Sequence, residues 1–211
     1  MNAAVTIRLA TTDDGAANSS LILRALREVN IRDYGHALIA EQSKNWTIDG
    51  VVAKMQNRIT YVAVDDDDII GTAGFDGQQA RTVFVRPDRH KLGVGSLLMR
   101  AVEALAIERG LNQLWLLSSI TAQGFYRRLG YSPVRDVYHG AERTILMKST
   151  SQRWSLTGFP MPSSSSVWSP IGTGLPTSAL QRFRPESEGR QVLDPQQTLA
   201  IEGLKTISPT A

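Results

Sequence analysis

The chain has 211 residues, 42% of them hydrophobic, and a formal net charge of +3. It contains no cysteine, which excludes disulfides, a Cys-ligated zinc and a cysteine nucleophile. That length supports one domain with chain to spare, and so small a basic excess admits anionic ligands without pointing to nucleic acid. The N-terminal stretch MNAAVTIRLATTDD lacks the apolar core of a signal peptide, and no apolar run approaches about 18 residues. A cytoplasmic protein with no membrane span is expected.

In chain order, VTIRLA (5–10) reads as a strand, and TTDDG supplies helix-capping side chains after it. AANSSLILRALREVN has apolar residues at helical spacing. A second helical stretch is expected from about Tyr34 to Gln56, interrupted near KNWTIDG. ITYVAV (59–64) and IIGTAGF (69–75) are strands joined at a hairpin turn, Asp65 to Asp68, whose four acids read as solvated. ARTVFVRP (80–87) is a strand ended by Pro87. GVGSLLMRAVEALAIERG is an amphipathic helix with Leu97, Leu98, Ala101, Val102, Leu105 and Ala106 on one face, stopped by Gly110. QLWLLSS (113–119) is a buried strand, TAQGFYRRLGY a short helix and RTILMK (143–148) a closing strand. The order β-α-α-β-β-β-α-β-α-β predicts an α/β (α+β) domain over residues 1–150, with a mostly antiparallel sheet flanked by helices. Beyond it the composition changes. Ser, Thr, Pro and Gly make up 28 of the 61 residues in 151–211, and PMPSSSSVWSP cannot propagate a helix or a central strand. A low-complexity, poorly ordered extension is expected there, against a docked one anchored by Trp154, Phe159, Trp168 and Phe183.

The segment RPDRHKLGVGSLLM raises the functional question. A strand, a basic glycine loop and a helix together form a place for phosphate, because the first N–H groups of a helix lack partners and carry partial positive charge. Gly93 and Gly95 permit close backbone approach, and Arg89, His90 and Lys91 add charge. The other reading is that the glycines only shape a tight strand-to-helix turn. No Gly-Lys-Ser/Thr follows, so this is not a P-loop. Position 98 is Leu, so it is not a dinucleotide fingerprint. The three histidines stand far apart without metal-ligand spacing, and no metal site is expected.

Taken with SSITAQGFYRRLGYSPV (118–134), this loop resembles the GNAT family of N-acetyltransferases. In that family a strand ending V-x-P leads into Q/R-x-x-G-x-G/A. The window here is His90-Lys91-Leu92-Gly93-Val94-Gly95, with both glycines matched and His in place of Gln or Arg. The later pattern N-x-x-A-x-x-x-Y-x-x-x-G-F maps onto Ser119, Ala122, Tyr126, Gly130 and Tyr131, with Ser replacing Asn and Tyr replacing Phe. The resemblance spans residues 5–148.

The resemblance implies an acetyl-CoA-dependent N-acetyltransferase acting on a primary amine by direct attack in a ternary complex, with a small molecule the favoured acceptor. It implies that backbone groups of Leu92, Gly93, Val94, Gly95 and Ser96, with Arg89, His90 and Lys91, hold the pyrophosphate. Phe84 and Val85 offer backbone hydrogen bonds to the pantetheine, where their strand splays from 113–119. Tyr126 is the implied general acid, whereas its spacing with Ala122, Phe125 and Leu129 also fits a core residue; Ser119 caps the following helix, either alone or while reaching the pantetheine or a water. No acid lies on the strand before the loop, so the base is sought among Glu41, Asp76, Glu103, Glu142, His36 and His139, with Glu103 expected to face solvent, or in a water chain from a pre-bound amine. Tyr34 and Trp46 lie in the region that the resemblance makes the acceptor wall, where they either shape the pocket or simply pack, and acceptor specificity is expected in 16–56 and 132–143. Two other functions compete: a non-catalytic acyl-CoA-binding regulatory module, and a toxin acetylating aminoacyl-tRNA. The second needs a basic face, whereas residues 1–150 hold 18 basic against 16 acidic side chains. No membrane or nucleic-acid partner is expected, and a monomer or homodimer is.

Overall fold

The computed structural model describes residues 5–150. The expected extension 151–211, with its four aromatics, lies outside the described residues. Seven strands form one sheet in the order β1-β2-β3-β4-β5-β7-β6. They are β1 (Thr6–Leu9), β2 (Ile59–Asp65), β3 (Asp68–Asp76), β4 (Gln79–Val85), β5 (Gln113–Ser118), β6 (Ser132–His139) and β7 (Glu142–Thr150). Every neighbouring pair is antiparallel except β4 and β5. The helices are α1 (Gly15–Ala25), α2 (Ile31–Ser43), α3 (Ile48–Asn57), α4 (Val94–Glu108) and α5 (Gln123–Arg128).

Side chains alternate across a strand, so each face of the sheet needs its own cover. On one face α4 lays Val94, Leu98, Met99, Val102 and Ala106 against Tyr61, Ala63, Ala73, Leu114 and Met147. A second core joins Leu21, Ile22 and Leu26 to Ile39 of α2 and Val51 of α3, with Ile69 and Phe84 from the sheet. Val83 and Val85 pack in the first core and Phe84 in the second, so β4 serves both.

The observed order departs from the expected one in four places. The segment 132–139 is a strand. It pairs only with β7 and buries only Val137, so it is a solvated edge strand without the alternation that would reveal it. The second helical stretch begins earlier than expected, at Ile31, and breaks in two at the expected place. Lys44–Trp46 forms a 3-10 turn, and the Thr47 side chain then accepts the Gly50 N–H to cap α3. Strand β4 ends at Val85, because Pro87 opens its own turn through Arg89. Of the residues expected on the apolar face of α4, Leu97 is exposed, whereas Glu103 is buried.

An ion pair fixes the entry to the helical layer. Asp14, only 8% exposed, takes Nη1 and Nη2 of Arg8 at 2.7 and 2.8 Å and the Thr11 N–H at 2.7 Å. The Arg8 fork, aided by the Thr11 N–H, holds the Asp14 carboxyl below its usual range. A carboxyl depressed on folding stabilises above its ordinary pKa, and that stability fades as pH falls through the depressed value. Asp14→Ala is therefore expected to cost about 1–2 kcal/mol at pH 7, with Arg8's exposure limiting the loss. In urea unfolding, its deficit against wild type should shrink below about pH 4.

Candidate active site

Among the described residues strands β4 and β5 are the one parallel pair, and they touch only where Gln79 and Ala80 face Trp115 and Leu116. Past that point they part. The cause lies in β4. Gly74 pairs with Arg81 and Thr72 with Phe84, so Thr82 and Val83 together oppose the single Ala73. This is a β-bulge, and Thr82 adopts φ 51° within it. A β-branched residue there is strained by about 1–3 kcal/mol. Arg58 Nη1 donates to the Thr82 hydroxyl at 3.1 Å and helps hold it. The bulge bends the strand away from β5 and leaves a V-shaped gap between Arg81–Val85 and Leu117–Ser118.

The glycine loop closes the open end of this gap. Gly93 has φ 86° and Lys91 φ 64°, two left-handed turns that reverse the chain into α4. A Cβ on Gly93 would meet nothing within 4 Å, whereas one on Gly95 would stand 3.0 Å from the Phe125 ring. The two glycines therefore answer different demands. Gly93 permits the turn, and Gly95 lets the first turn of α4 pack on α5. Leu97 donates to the Gly93 carbonyl, so the N–H groups of Val94, Gly95 and Ser96 precede the first intrahelical bond. They give the loop a positive end. Leu92 and Lys91 stand in solvent beside them.

The basic side chains divide in role. Arg89 lies 2.9 Å from Asp65, and Arg86 is paired with Asp68 and Asp88. Two of the four acids in the β2–β3 turn are therefore counter-charges for the loop, where solvated acids were expected. His90 Nε2 lies 2.9 Å from the Val85 carbonyl, a contact that requires the proton on Nε2. His90 thus ties the loop back to β4 and engages the carbonyl of one of the two residues expected to offer backbone groups.

Tyr126 of α5 is 5% exposed and packs in the core behind the gap. Its ring meets Phe125 at 5.0 Å and Tyr131 at 5.9 Å, both edge-on. Burial pushes its phenol well above the ordinary value, so the hydroxyl keeps its proton. Ser119 Oγ accepts the Ala122 N–H at 3.2 Å and so caps the approach to α5, as expected.

On the α2 side, Tyr34 Oη donates to the Arg143 carbonyl at 2.8 Å and accepts the Ile120 N–H at 3.3 Å. Thr121 donates to Asp33. These bonds fasten α2 to the β5–α5 connection and to β7. Trp46 meets Phe84 edge-on at 5.8 Å. A cleft of about 440 Å³ opens here, lined by Asp33, Tyr34, Leu38 and Glu41 of α2 with Ile120 and Arg143. Among the candidate bases, only Glu41 lines it. Asp76 is paired with Arg81. His139 has a buried Nε2 without a partner among the described residues. No cluster of metal ligands occurs among the described residues.

Glu103 corrects the sequence reading most sharply. It was expected in solvent, yet it is 8% exposed and accepts the Tyr131 hydroxyl at 2.9 Å. Burial raises its carboxyl to about 7, against the Tyr131 bond and the field of Arg100. Nothing local marks it, because a glutamate on an apolar face reads as a break in the stripe. The one hint was Tyr131, a hydroxyl where the family pattern has Phe. Thr82, Asp65 and Asp33 were missed as site residues, for their roles come from bulge and tertiary contact alone. A carboxyl raised on folding is most stabilising below its ordinary value and loses that contribution as pH rises through about 7. Glu103→Gln is expected to raise Tm more at pH 8 than at pH 5. Equal effects at both would contradict a buried carboxyl that ionises between them.

The comparisons agree with this geometry. Residues 56–133 match the family model of the acetyltransferase (GNAT) domain. A GCN5-related N-acetyltransferase from Rhodopseudomonas palustris superposes with TM-score 0.65 at 21% identity, covering 71% of this chain and 98% of that one. The PaiA N-acetyltransferase of Thermoplasma acidophilum, solved with coenzyme A, gives 0.61 at 13%, covering 70% and 99%. YncA of Salmonella typhimurium, solved with acetyl-CoA, gives 0.51 at 16%, covering 71% and 95%. These likenesses show the fold. A sequence comparison with curated proteins finds no match.

Proposed function

The chain carries a GNAT acetyltransferase domain, and from that premise we propose that it moves an acetyl group from acetyl-CoA to a primary amine, favouring a small-molecule acceptor. The observation that carries the reading is the gap between β4 and β5 with an open helix N-terminus at its mouth. A pyrophosphate fits the N–H groups of Leu92 to Ser96, with Lys91 as the nearby cation. Arg89 assists less than its sequence position promises, because Asp65 already holds it. The pantetheine fits along Phe84 and Val85, with His90 fixing the end of that strand.

The chemistry needs a neutral amine, an aligned thioester and a proton for the leaving thiolate. The donor supplies an activated acyl carbon. As the C–N bond forms and the C–S bond breaks, Tyr126 Oη gives its proton to sulfur. Its phenol keeps its proton over the physiological range, so it can donate and cannot serve as the base; burial makes it a weaker acid than a free tyrosine, and solvent returns the proton after transfer. Ser119, whose oxygen is committed to the cap, keeps a hydroxyl proton for the pantetheine or a water. The amine's proton leaves through solvent in the cleft at α2. With no cysteine in the chain, a Cys acyl-enzyme plays no part.

Calorimetric titration of acetyl-CoA into the full chain is expected to give micromolar binding, weakened at least about tenfold in Gly93→Glu, which sets a carboxylate against the phosphates. Tyr126→Phe should retain acetyl-CoA affinity while kcat falls about tenfold or more. A kcat within about twofold of wild type would remove Tyr126 from the role of acid.

A further inference from the structure

The cleft at α2 differs in charge from the chain that holds it. The protein carries a net +3, yet the cleft and its rim gather carboxylates. Asp33 and Glu41 line it, and Glu142 lies close enough for its field, with that of Asp33, to act on the Tyr34 hydroxyl. The one lining cation is Arg143. Its Nε and Nη2 are both given to Asp136, at 3.1 and 3.2 Å, so an acid stands against it, in a pair that is itself partly exposed. Glu41 is paired with Lys44 at 2.5 Å, but both are largely exposed, and such surface pairs are weak. Among the described residues Asp33 has no cationic partner; it accepts only the Thr121 hydroxyl. Between these groups Ala37, Leu38, Ile120 and Ala141 form an apolar floor.

Carboxylates only accept hydrogen bonds, so this lining matches a ligand that donates. The volume lies within the range of small-molecule sites, and an apolar floor with a few placed polar groups is their usual form. We infer that the acceptor is an aliphatic primary amine carrying a second cationic group, whose chain lies on Leu38 and Ile120 and whose far cation is held by Asp33 or Glu41. The inference rests on the acetyl-transfer reading and deepens it. The reactive amine points toward Ser119, the neighbour of Ile120, while the second ammonium stays at α2. An acceptor with an anion at the same distance meets carboxylates and finds no free guanidinium.

Three four-carbon amines isolate the question: 1,4-diaminobutane, n-butylamine and 4-aminobutyrate. Thiol release from acetyl-CoA is followed for each with the full chain, alongside calorimetry of acetyl-CoA alone. The expected kcat/KM favours the diamine over butylamine by about tenfold, the worth of one charge-assisted contact, with 4-aminobutyrate poorest. Asp33→Asn or Glu41→Gln, each checked for an unchanged Tm, should cut the diamine preference to about threefold or less, and the preference should fall with added salt. Equal use of the three amines, a preference for 4-aminobutyrate, or a diamine preference untouched in both variants would overturn the inference. So would acetyl-CoA binding with no amine of the three accepted. Failure to bind acetyl-CoA is a different result: it overturns the acetyl-transfer reading and this inference with it.

Discussion

The geometry of the site depends on one strained turn of backbone. A parallel pair of strands in mid-sheet ordinarily keeps its ladder, since unpaired N–H and C=O groups inside a protein are costly. Here the pairing of β4 with β5 stops after two residues because Thr82 and Val83 bulge against Ala73. The rest of the sheet makes that distortion tolerable. Strand β3 continues past it to pair Thr72 with Phe84 and Gly71 with Val85, and Arg58 bonds the strained threonine. The cost is local, and the product is a slot whose walls carry backbone donors and acceptors without partners from the neighbouring strand.

Around that slot the molecule places its charges in opposed pairs. Acids of the β2–β3 turn hold Arg86 and Arg89 in the glycine loop, which keeps the loop ordered while leaving Lys91 and the helix end toward solvent. On the other side, Asp33 and Tyr34 bind the β5–α5 connection and β7, so one wall of the cleft is anchored to the sheet. The glycine loop thus presents positive charge and the cleft at α2 negative charge, and Trp46 packs on Phe84 of β4.

Much of this was legible in the sequence. The helix α4 was visible because Leu98, Val102, Leu105 and Ala106 repeat at helical spacing, and the parting of β4 from β5 was what the family resemblance, carried by the loop and tyrosine motifs, implied. Gly93 was legible as a turn residue, but the reason for Gly95 was not, since Phe125 reaches it only in three dimensions. Strand β6 was invisible because an exposed edge strand imposes no apolar period. Glu103 was misread for the converse reason: its environment is set by Tyr131, 28 residues away. The bulge at Thr82 leaves no mark in TVFV, whose residues all favour a regular strand.

The central claim is that the β4–β5 gap and the start of α4 receive one ligand together. Amide NMR on the full chain, titrated with coenzyme A, tests it directly. The account predicts that the N–H resonances of Phe84, Val85 and Leu92 to Ser96 move together along one binding curve. The amides of β1 and β6, at the far edges of the sheet, should stay fixed. Movement confined to the edges, or none in Phe84 and Val85 while the loop responds, would contradict it.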